Sequence, residues 1–81
     1  MTDKLLTKVI GNYCRHIRRQ RGYTTYELAD RIGKSQSAVS RFESGHNDSA
    51  TILYWYMSNC EFDRCELIRR VNLERRVFND D

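Results

Sequence analysis

The 81-residue chain contains no proline and only four glycines. Tight turns are built largely from those two residues, so a many-stranded, turn-rich β fold is disfavoured and helices are favoured. No stretch nears the ~18 consecutive apolar residues of a membrane span. The first residues also lack the apolar core of a secretory signal, so a cytoplasmic chain with no membrane partner is expected. Cysteine is sparse: Cys14, Cys60 and Cys65 are an odd set without a C-x-x-C pair. They read as reduced thiols, buried or half-buried as small apolar groups. His16 and His46 are the only histidines, and neither stands at zinc-finger spacing from a cysteine pair. No metal site is expected. Paired carboxylates in an apolar setting, a compelling Ser/His/Asp set and a glycine-rich phosphate loop are all missing. Neither enzymatic activity nor a cofactor is therefore expected. A chain of 81 residues has room for one domain and little interior for a pocket.

The charge is modest in sum, +3, but unevenly placed. Residues 1–46 carry nine Lys/Arg against four acids, and residues 47–81 carry five against seven. A basic half suits a polyanion, and an acidic half is repelled by one.

The apolar residues recur with helical period. Leu6, Val9, Ile10, Tyr13 and Ile17 form one stripe on a helix from about Asp3, its N-cap, to Gln20, with Gly22 as the stop. Arg15, His16, Arg18, Arg19 and Arg21 lie on its other face and C-terminal end, where positive charge suits the helix dipole. Thr24 and Glu27 have capping-box spacing, and Tyr23 with Leu28 can close a hydrophobic staple. The helix that follows ends near Ile32, because Gly33 offers the backbone freedom for a tight turn. Ala29 leaves its inner face open to a neighbouring helix. Ser35 caps a third helix running to about Ser44, with Gly45 just past its end. Its apolar residues are few, Ala38, Val39 and Phe42, so one edge is buried and the other faces something polar. Gln36, Ser37, Ser40 and Arg41 on that edge are of the types that bond base edges and phosphates. After the loop His46–Ser49, Asp48 or Ser49 caps an aromatic-rich helix through Met57. A fifth helix runs to about Phe78, with Asp63 and Glu66 repeating the capping-box spacing and its arginines balanced by glutamates.

Two short helices joined by a glycine turn, the second of them polar and exposed, make a helix-turn-helix. The residues carrying it run from Thr24 to Gly45. The run Glu27-Leu28-Ala29 with Gly33, followed by Ser35-Gln36-Ser37-x-Val39-Ser40-Arg41-x-Glu43-x-Gly45, resembles the phage repressor and Cro-like (XRE-type) family of DNA-binding domains. The likeness covers roughly residues 5 to 58. It implies an all-α, lambda-repressor-like bundle of about five helices, bacterial or phage-encoded and nucleoid-associated. It further implies that the helix from Ser35 to Ser44 enters the major groove of double-stranded DNA. Gln36, Ser37, Ser40 and Arg41 would then contact bases. Thr25, Lys34, Ser35, Arg15, Arg19, His46 and Asn47 would contact phosphates. Thr25 stands where the family usually has a longer Gln, and Asp48 where it often has a basic residue or proline. In the family the Glu late in the recognition helix often pairs with an Arg of the first helix, and Glu43 and Arg18 match those positions. Members of this size usually bind palindromic operators as homodimers. The apolar excess of Tyr54, Trp55, Tyr56 and of the last helix, with Phe78, makes them candidates for the dimer contact. The expected function is transcriptional regulation, most simply repression by steric block. The same fold also serves as a protein-binding module, an antitoxin or adaptor acting through a regulatory partner protein.

Overall fold

The computed structural model describes residues 4–79, with side chains as far as Arg75. Five helices follow in order: α1 Lys4–Arg21, α2 Thr25–Ile32, α3 Gln36–Glu43, α4 Ala50–Asn59 and α5 Arg64–Asn79. The expected N-cap Asp3 and the dimer candidate Phe78 lie outside the described residues and side chains.

The local chemistry sets the boundaries. Thr24 Oγ1 accepts from the Glu27 N–H at 3.1 Å, and Glu27 Oε1 accepts from the Thr24 N–H at 3.2 Å, so the capping box is complete. Gly33 ends α2 with φ +69°, a left-handed conformation that costs glycine little. Ser35 Oγ accepts from the Ala38 N–H at 3.1 Å and starts α3. Ser49, rather than Asp48, caps α4 by accepting from the Ile52 N–H. At α5 only half of the expected box forms. Asp63 Oδ1 accepts from the N–H groups of Cys65 and Glu66, but Glu66 does not reach back. Its carboxylate binds Arg69 and Arg70 instead, because two cations on the next turn outcompete one backbone N–H. The Asp63 N–H goes to the Tyr13 hydroxyl, which also donates to the Asp63 carbonyl.

One core joins α1 to α4. Tyr13, Cys14 and Ile17 of α1 meet Leu28, Ala29 and Ile32 of α2, Val39 and Phe42 of α3, and Ile52, Tyr56 and Cys60. Each fully buried Leu, Ile or Val contributes about 1.5–3 kcal/mol. α5 packs on α1, fastened by Tyr13, whose ring meets Phe62 edge-on and lies under the Arg70 guanidinium. Cys14 and Cys60 are buried as expected, but Cys65 is exposed, because it sits on the solvent side of the first turn of α5. Ile68, an apolar residue of that helix, is also largely exposed. No helix among the described residues is long and apolar enough to cross a membrane.

Candidate nucleic-acid interface

α3 is positioned by burial on one side only. Val39 and Phe42 face the core, and Ala38 packs at its margin. Ser37 and Arg41, four residues apart and therefore on one face, are exposed, while Gln36 and Ser40 are half-buried. The Gln36 amide donates to Thr25 Oγ1 at 3.2 Å. That bond joins the first residue of α3 to the first residue of α2 and restrains a side chain that would otherwise sample many rotamers. The second amide hydrogen and the carbonyl remain for another partner, the pair of groups adenine accepts. Lys34 and Ser35 are exposed just before the helix, and Thr25 is half-buried beside Gln36.

The inner end of α3 is held by a buried charge cluster. Glu43, 2% exposed, is the last residue of the helix. Arg18, 6% exposed, donates Nε to Oε2 at 2.6 Å and Nη2 to Oε1 at 3.0 Å. Its remaining nitrogen Nη1 donates to the Tyr23 carbonyl at 2.6 Å, ahead of α2. The Tyr56 hydroxyl, from α4, donates to Oε2 as well. Arg15 lies on the open side, with Nε 3.4 Å from Oε1. Every buried side-chain polar atom among the described residues has a partner. Such a cluster adds little net stability over an apolar core, because desolvation offsets the Coulomb gain, but stranding one member is costly. Here it fixes where α3 sits relative to α1 and α4. The pairing with Glu43 raises the Arg18 pKa further, despite an opposing effect of burial. Burial first, then the Glu43 carboxylate, pushes the Tyr56 hydroxyl well above its ordinary range. Gly11 completes the positioning. A Cβ there would lie 2.5 Å from the Phe42 carbonyl oxygen, so α1 touches the backbone of α3 directly.

One expectation changes. Tyr56 is not available to a second chain: it is fully buried, stacks on Phe42 with ring centroids 5.5 Å apart, and bonds Glu43. Arg18 makes the pair with Glu43 that the family resemblance implies and is buried by it. Arg15 is half-exposed and turned toward Glu43, whereas Arg19 is exposed. His46 is exposed, and half-buried Asn47 accepts from the Ser49 N–H through its side chain. Tyr54 is exposed and Trp55 half-buried against the core. One exposed aromatic had no role in the sequence reading: Tyr26, 71% exposed, follows Thr25 at the start of α2. Its position next to the capping box was the signal available for it.

The paired short helices, the left-handed glycine between them and the bare polar edge of the second define a helix-turn-helix domain. Residues 15–52 match the family model described as Helix-turn-helix. That segment belongs to the XRE-type, phage repressor and Cro-like class of DNA-binding domains. No curated protein and no solved structure matches the chain.

Proposed function

We propose that the protein is a sequence-specific regulator of transcription that lays α3 in the major groove and represses by occupying its site. The observation carrying this reading is the polar edge of α3: Ser37 and Arg41 are exposed and Gln36 is held ready by Thr25. Arg41 is suited to guanine O6/N7, Gln36 to adenine, and Ser37 and Ser40 to either. Thr25, Lys34, Ser35, Arg19, His46 and Asn47 supply backbone contacts, with Arg15 shared between phosphate and Glu43. The shorter Thr25 serves as a brace for Gln36 as much as a phosphate ligand. A homodimer on a palindromic operator fits the apolar side chains left in solvent, Tyr54 and Met57 on α4 and Ile68 and Leu73 on α5. Those same side chains favour, as a second reading, a module that acts through a protein partner.

Selection of bound sites from a random duplex pool tests the first reading. A palindrome with half-sites about 34 Å apart is expected, one helical turn. Enrichment of no sequence, with binding insensitive to salt, would instead favour the protein-binding module.

A further inference from the structure

The loop between α3 and α4 presents a contradiction in charge. His46 and Asn47 are candidates for phosphate contact, yet Asp48 beside them has the wrong sign for it. The structure brings positive charge to this loop from a distant part of the chain. Gly45 has φ +81°, and a Cβ on it would lie 2.9 Å from Lys8 Cα. The loop backbone therefore rests directly on the start of α1. Lys4 and Lys8 stand one turn apart on the same side of α1 and, with Thr7, wall a cleft of ≈ 700 Å³ whose other side is Gly45, His46 and Asp48. Both lysines are exposed. Among the described residues neither is ion-paired with a carboxylate. Within the same limit, the backbone N–H groups of Asn47 and Asp48 have no acceptor. Two ammonium groups, an imidazole and two free N–H donors thus oppose one carboxylate, a combination suited to a singly charged oxyanion.

The position of the cleft says which oxyanion. Ser44, the C-cap of α3, lines it. An eight-residue helix is about 12 Å long, and the major groove is about 12 Å wide. A helix of that length seated in the groove brings both of its ends near phosphates. Thr25, Lys34 and Ser35 serve the N-terminal end, and the cleft lies at the other. We infer that Lys4 and Lys8 bind a phosphodiester of the DNA backbone at the C-terminal end of α3, replacing the positive charge that Asp48 removes from the loop. This rests on the DNA-binding reading above.

The experiment compares the parent with the Lys4→Gln/Lys8→Gln variant, which removes both charges and keeps the Lys8 Cα and Cβ against Gly45. Binding to a labelled random-sequence duplex is measured by fluorescence anisotropy across salt, with a thermal melt of each protein. At unchanged Tm, the salt slope of the variant should be shallower by about two. The parent's loss of affinity between about 50 and 200 mM salt should then exceed the variant's by roughly tenfold. Asp48→Asn should tighten binding. A parent that binds steeply with salt, together with a variant of equal slope and affinity, would overturn the lysine assignment and leave the DNA-binding reading standing. A parent that binds no duplex, or binds one without salt dependence, would overturn both.

Discussion

Replacing Tyr56 by Phe removes one oxygen from the centre of the molecule and little else. The ring keeps its stacking on Phe42 at 5.5 Å, and no cavity of consequence opens. What is lost is the O–H donor to a carboxylate 2% exposed to water. Hydrogen bonds to charged groups contribute about 1.5–3 kcal/mol. A chain of 81 residues has a total stability of about 4–12 kcal/mol. Each kcal/mol moves Tm by about 4–8 °C in a domain of this size. Tyr56→Phe should therefore lower Tm by roughly 6–24 °C. Arg18→Ala should cost more, about 3–5 kcal/mol, because it strands the Glu43 charge itself.

The same variant predicts a pH dependence. The Tyr56 pKa is raised in the folded state, chiefly by burial and then by Glu43. The hydroxyl's contribution is thus fully present below about pH 10, the ordinary tyrosine value, and is lost as pH rises toward the folded value. The difference in stability between parent and Tyr56→Phe should be flat from neutral pH to about 10 and shrink above it. Comparing the two proteins cancels the other tyrosines. Urea unfolding followed by circular dichroism at several pH values measures this directly. A variant as stable as the parent at neutral pH, or a difference that grows with alkalinity, would refute the assignment of the hydroxyl to Glu43.

Gln36→Ala and Arg41→Ala should each weaken cognate-site binding by about 1–3 kcal/mol without lowering Tm, as read by gel shift and melting. Gly11→Ala should lower Tm and weaken binding on every DNA sequence alike, because the added Cβ meets the Phe42 and Glu43 carbonyl oxygens at 2.5 and 2.7 Å and forces α1 and α3 apart. Titration with a thiol reagent under native conditions should modify Cys65 quickly and leave Cys14 and Cys60 protected until the chain is unfolded, since both are buried and burial raises the pKa of each.

The helices and their ends were legible because their causes are local. Thr24 and Glu27 are three residues apart, Ser35 adjoins the helix that it caps, and Gly33 adopts the left-handed backbone its chemistry permits. The polar edge of α3 was legible for a similar reason: three apolar residues in α3 leave only one face for the core, so the polar face follows by elimination. The Arg18–Glu43 pair, 25 residues apart, came from family resemblance and not from spacing. Where contact depends on how helices pack, pattern alone misleads. Tyr56 reads as one more aromatic in a run, because nothing near it in the chain announces a buried carboxylate 13 residues back. Glu66 reads as a capping partner, because the pattern does not weigh Arg69 and Arg70 on the next turn against one backbone N–H.

The placement of the charged groups also explains a division of labour in the domain. Among the described residues, a buried Arg–Glu cluster and an exposed one do different things. Glu66 with Arg69 and Arg70 lies on the surface of α5, where the carboxylate is held below its ordinary pKa mainly by Arg69 but screening leaves little stability in the pair. Glu43 with Arg18 and Tyr56 is dry and ties α1, the entry to α2, α3 and α4 to one point. A helix of eight residues has little intrinsic stability and a narrow apolar stripe. Hydrophobic contact alone, being non-directional, would leave α3 free to roll about that stripe. A bidentate guanidinium pair fixes orientation as well as distance. Fixing the rotation of α3 decides which side chains face outward, so the buried cluster sets the angle at which Gln36, Ser37 and Arg41 are presented.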